Sequence, residues 1–118
     1  MADTLEILVI DDEEDICRIF VKYLTLRGHR VQYALTGGKG IKKVQKKHYD
    51  IVFLNIVLPG IKGLEVLERI KEISPRSKVI VITGKIIQRE PLSLLRKKGA
   101  SATLKKPFSL EDIEEAIR

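Results

Sequence analysis

Tryptophan is absent, aromatic residues make up only 5% of the 118 residues, and there is one cysteine, Cys17. A lone cysteine forms no intramolecular disulfide, and its place in an apolar helical pattern marks it as a packed thiol rather than a reactive one. No apolar run approaches the roughly 20 residues that span a bilayer, and no signal-peptide pattern opens the chain, so a cytoplasmic location is expected. Internal repeats, low-complexity tracts and linkers are missing too. The net charge of +6 comes from lysines scattered over several segments with few aromatics between them. That describes a solvated basic surface rather than a nucleic-acid reader, and a salt-dependent, nonspecific affinity through the basic second helix is the most to be expected.

What is present is a 44% hydrophobic, 32% charged composition and enough chain for one compact core. A single domain over residues 1–118 is expected, and because the helical pattern runs to Arg118, a longer parent protein stays open.

The pattern turns on Asp50-Ile-Val-Phe-Leu-Asn55, an apolar run that ends on one polar residue before the turn signals Pro59 and Gly60. Four consecutive apolar residues suit a parallel strand covered on both faces. Glu6 to Ile10 is a similar strand, followed at once by Asp11-Asp12-Glu13-Glu14-Asp15 and a helix with Ile16, Ile19, Phe20, Tyr23 and Leu24 at helical spacing, stopped by Gly28. Arg30 to Ala34 is a weaker strand. Gly37 opens a basic helix through Lys47 whose inner face is Ile41 and Val44, and its glycines fit neither a P-loop nor a dinucleotide fingerprint. A third helix carries Leu64, Leu67 and Ile70. Lys78 to Ile82 is the fourth strand, with Thr83 at its tip. A helix from about Glu90-Pro91 to Lys98 follows, closed by Gly99. Ala102 to Lys105 forms a fifth strand, and Ser109 caps a last helix with Leu110, Ile113 and Ile117 on its apolar side.

Five strands alternating with five helices predict an α/β doubly wound (βα)5 parallel sheet in the order 2-1-3-4-5, with its crevice at the strand tips. Asp11, Asp12, Asn55, Thr83 and Lys106 then converge. Two carboxylates, an amide, a hydroxyl and an ammonium suit a hard divalent cation and a phosphoryl group. Glu13, Glu14 and Asp15 read instead as acids favouring a helix N-terminus.

Ile10-Asp11-Asp12, Ala34-x-x-Gly37, Pro59-Gly60-x-x-Gly63, Val81-Ile82-Thr83-Gly84, Gly99-Ala100 and Lys106-Pro107-Phe108, in that order, resemble a response-regulator receiver domain of the chemotaxis-receiver type, from Leu5 to Arg118. The resemblance implies that Asp12 ligates Mg2+, that Asp11 helps through water, and that Val57 offers its backbone carbonyl. It further implies that Thr83 and Lys106 hold the phosphoryl group and that a cis bond precedes Pro107. Upstream it implies a sensor histidine kinase or phosphotransfer protein. Downstream it implies an output domain or acidic partner on the fourth helix, fifth strand and fifth helix, where Arg96, Lys97, Lys98 and Lys105 lie, and it leaves homodimers open.

Asn55 departs from the pattern, since the family's phosphoacceptor there is an aspartate. An amide is a poor nucleophile and a weaker metal ligand, so a receiver blocked at this position is expected, whether the asparagine is native or introduced. The metal-free pocket should be easier to sustain, with Lys106 leaning toward the remaining acids. Thr103 stands where the family's switch residue is usually aromatic, and Lys62 replaces the usual acid or amide before Gly63. The competing enzyme class, a magnesium-dependent phosphatase of the haloacid dehalogenase type, needs an Asp-x-Asp motif. The pairs here are Asp11/Glu13, Asp12/Glu14 and Glu13/Asp15, so the chain is not expected to be an enzyme of that kind.

Overall fold

The computed structural model describes residues 4–57, 62–84 and 92–118. Within them the chain runs β1 (Glu6–Ile10), α1 (Glu14–Leu26), β2 (Arg30–Ala34), α2 (Gly37–Lys46), β3 (Ile51–Asn55), α3 (Gly63–Ile73), β4 (Lys78–Thr83), α4 (Leu92–Lys97), β5 (Ala100–Lys105) and α5 (Leu110–Ile117). All strand pairs are parallel and the order is β2-β1-β3-β4-β5, as the alternation predicts. No helix among the described residues is long and apolar enough to cross a membrane.

Strand alternation splits the core into two layers. Leu8, Ile10, Val52, Leu54, Val79 and Val81 face α2, α3 and α4, whereas Ile7, Val9, Ile51, Phe53, Ile80 and Ile82 face α1 and α5. Every residue of β3 is buried, which explains its unbroken apolar run and places it at the centre of the sheet.

β5 begins at Ala100, two residues before the expected Ala102. Its register shifts between Val79 and Ile80, so Ala100 pairs with Val79 and Ala102 with Ile80. The extra residue, Ser101, reverses the parity of the strand: Ala100 joins the α2/α3/α4 layer and Ala102 packs in the α1/α5 layer. Two further expectations are corrected. Ile19 and Leu110 sit on the apolar sides of their helices by spacing, yet they are 47% and 48% exposed, because only Cys17, Phe20 and Leu24 of α1 and Ile113 of α5 are buried. Glu90, Pro91, Pro59 and Gly60 lie outside the described residues.

The caps follow the sequence. Ser109 and Asp112 form a reciprocal capping box on α5. Gly99, after α4, takes φ +116°, where a side chain would be strained. Gly63 opens α3 so close under β3 that a Cβ there would overlap the Ile56 backbone carbonyl. That approach fixes the start of α3 beneath the β3 tip.

Candidate functional site

The C-terminal edge of the sheet gathers the expected residues from four strands. Asp11 directly follows β1, Asn55 ends β3, Thr83 ends β4, and Lys106 follows β5. Lys106 is steadied from both sides. Its N–H donates to the Thr83 carbonyl at 2.7 Å, and the cis Lys106–Pro107 bond leads to Phe108, whose ring stands 5.4 Å from that of Phe20.

Asn55 is 6% exposed and lies between the two acids. Its Nδ2 donates to Asp11 Oδ1 and Asp12 Oδ1, both at 3.3 Å, while its Oδ1 accepts the Val57 N–H at 3.2 Å. These contacts fix the amide orientation. Turned over, Oδ1 would face two carboxylate oxygens and the NH2 group would face an N–H, so both ends would lose their partners.

Asp11 is fully buried. Its Oδ1 also accepts the Glu13 N–H at 2.9 Å, and its Oδ2 lies 3.4 Å from Lys106 Nζ, an ion-pair distance without hydrogen-bond alignment. Burial pushes the Asp11 carboxyl above its ordinary range, and the Glu13 N–H, Lys106 and Asn55 offset that only in part. For Lys106, burial disfavours the ammonium, but Glu13 and Asp11 outweigh it and the pKa is held above the usual lysine value. Behind the pair, Cys17 Sγ contacts the Asp11 carbonyl at 3.4 Å; burial, with the nearby acids, pushes its thiol up to about 12.

Glu13 departs from its expected part as a mere helix-terminus acid. Its Oε1 accepts from Lys106 Nζ at 3.0 Å, closer than the Asp11 contact. The signal available in the sequence was its position directly after the acid pair, opposite the lysine tip. Thr103 is not brought into the cluster by any described contact; it pairs with Val81 and is exposed.

Asp11 and Asp12 carry hard oxygen donors, and Asp11 Oδ2 is a buried oxygen with no hydrogen-bond donor and only the Lys106 ammonium beside it at 3.4 Å, an atom of the kind a divalent cation takes. Asn55 turns N–H groups rather than oxygen toward the same acids, so a cation gains no ligand from it in this orientation. No group of three or more His, Cys, Asp or Glu side chains able to hold a metal occurs among the described residues. Magnesium, which keeps several of its waters, commonly takes only one or two carboxylates.

At the opposite end of the sheet, Asp50, His48 and Ser74 resemble a hydrolase triad only in composition. Ser77 Oγ donates its one proton to the Tyr49 carbonyl, so Ser74 must donate to Ser77 and accept from His48 Nδ1 at 3.3 Å. A serine that accepts from its histidine is not activated by it.

Comparison with known proteins agrees with this architecture. The family described as response regulator receiver domain matches residues 7–118. The uncharacterized transcriptional regulatory protein YkoG of Bacillus subtilis is 32% identical over 112 residues, covering 95% of this chain and 49% of that protein. Response regulator ArlR of Staphylococcus aureus is 30% identical over 113 residues, covering 96% of this chain and 51% of that protein. The chain thus spans about half the length of the curated relatives it matches. Among solved structures, a CheY-like response regulator receiver domain protein from Methanospirillum hungatei superposes with a TM-score of 0.91 at 30% identity, covering 98% of this chain and 91% of that one. In fold and in sequence, the chain belongs to the response regulator receiver domain family.

Proposed function

We propose that this receiver serves a two-component phosphorelay without taking a phosphoryl group on residue 55, and that it regulates an output through a fixed conformation or partner binding. The observation that carries this reading is the Asn55 amide, donating to both Asp11 and Asp12 while accepting from Val57. An attacking carboxylate is missing at the β3 tip, and the neutral amide satisfies the acids that a cation would otherwise bridge. The domain acts as a cytoplasmic signalling module and not as an enzyme.

Asp11, Asp12 and the Val57 carbonyl would hold Mg2+, and the ion would neutralise phosphoryl oxygens at the pocket. Thr83 and Lys106 stand as phosphoryl contacts and Thr103 as the small residue in the switch position. Upstream, the partner is a sensor histidine kinase or phosphotransfer protein. Downstream, an output domain or acidic protein meets the α4–β5–α5 face, where Arg96, Lys97 and Lys105 are exposed and Lys98 pairs with Glu68 at 3.4 Å. A homodimer through that face is an alternative use of it.

Magnesium titration followed by NMR chemical shifts tests the reading. The chain should bind in the millimolar range, and Asn55→Asp should tighten binding at least about tenfold by restoring an anionic ligand. Micromolar binding by the unaltered chain would count against it.

A further inference from the structure

We propose that the outer face of α2 docks on the phosphate backbone of duplex nucleic acid without reading its sequence. This goes beyond the signalling role and does not depend on residue 55. α2 carries Lys39, Lys42, Lys43 and Lys46, is followed by Lys47, and holds no acidic residue. Lys39, Lys42 and Lys46 are exposed and follow one another at three- and four-residue steps, which sets them along one side of the helix over about 10 Å. None of the three makes an ion pair among the described residues.

The charged neighbours on the β1 side largely balance one another and leave these three lysines without a carboxylate partner among the described residues. Lys43 donates to the neutral Gln32 at 3.1 Å. Lys47 and Arg30 share one carboxylate, that of Glu6, at 2.6 and 3.3 Å, and hydrogen bonding from Lys47 leads the effects that hold Glu6 below the usual glutamate range. Asp50, the next acid along this edge, is already engaged by the Glu6 N–H at 2.8 Å and faces His48. Lysines at 39/43 and 42/46 stand one helical turn apart and repel one another.

Two features single out phosphates over a protein. The helix turns Ile41 and Val44 inward and leaves Gly38, Lys39, Lys42, Gln45 and Lys46 exposed, so its outer face has no apolar centre of the kind that anchors protein interfaces. Its cations are lysines, point charges suited to diffuse contact, and a duplex offers one negative charge per about 1.7 Å of axis with counterions to release.

The test is fluorescence anisotropy of a labelled mixed-sequence duplex of about 20 base pairs, titrated with the full chain from about 50 to 200 mM salt. Three phosphate contacts at about 0.9 each predict that the Lys39→Gln/Lys42→Gln/Lys46→Gln variant lowers the slope of log K against log salt by about 2.7. The charge-matched Arg96→Gln/Lys97→Gln/Lys105→Gln variant should leave the slope in place. Equal losses in both variants would mean that affinity follows net charge, and the proposal falls. It falls equally if the duplex is not bound at the lowest salt while a polyglutamate peptide is, which would assign the face to an acidic protein.

Discussion

Lys106 Nζ stands 3.0 Å from Glu13 Oε1, so the lysine of one strand tip is tied to the loop after another, 93 residues away in sequence. Glu13 is 61% exposed on its side chain, and an ion pair so open to water is worth little. Glu13→Gln should therefore cost at most about 1 kcal/mol in urea unfolding at low salt, and the difference should vanish at high ionic strength. A loss of several kcal/mol that survives salt would mean that Glu13 supports the fold in some other way. The raised Lys106 pKa has its own signature: its stabilising share is present below the unfolded lysine value and is lost as pH rises through the folded value. Lys106→Met should flatten that alkaline limb.

Asp11 also loses stability as pH rises, but there it is the charged form that folding disfavours. Its folded pKa is raised, so the ionised form is disfavoured by folding, fully so above the folded value, and the cost disappears as pH falls through the carboxylate range. Asp11→Asn should raise stability near neutral pH, read by thermal unfolding, with no gain in acid. A variant less stable at pH 7 than the parent would show that Lys106 and the Asn55 amide need the charge more than the core resists it.

The thiol of Cys17 is buried and its pKa is pushed up to about 12, which leaves almost no thiolate at neutral pH. Labelling by a disulfide reagent should be negligible in the folded chain and complete in urea. Rapid labelling under native conditions would place the residue outside the core.

Gly63→Ala should destabilise the chain by about 2 kcal/mol, because the new Cβ meets the Ile56 backbone rather than a side chain that can swing away. The same change should disturb the NMR signals of Asn55 and Val57, which sit on either side of that contact. A cost below about 0.5 kcal/mol would mean that α3 shifts freely under β3.

The long apolar runs were readable because parallel strands buried on both faces leave no polar alternation to confuse them, and β1, β3 and β4 appeared within a residue of their bounds. The start of β5 was not readable. Ala100, Ser101, Ala102 and Thr103 are small, and the extra residue at Ser101 breaks the period that would have marked a strand. Helical spacing ranked Ile19 and Leu110 with their helices' inner faces, but it carries no information on how wide a strip the sheet covers. In the pocket, each strand-tip residue could be named from the sequence. The Glu13 contact needed the relative placement of the β1 and β5 tips, at which its position after the acid pair only hints, and the three hydrogen bonds of Asn55 required the relative placement of β1 and β3.

The most direct measurement is intact mass after incubation with Mg2+ and acetyl phosphate, for the chain and for Asn55→Asp. In the variant, a carboxylate oxygen attacks phosphorus, the bond to the acetyl oxygen breaks, and acetate leaves. Only the variant should gain a phosphoryl group, if Asp11, Asp12, Thr83 and Lys106 act as proposed and residue 55 is all that the pocket needs. A phosphoryl group on the unaltered chain, or none on either protein, would contradict it.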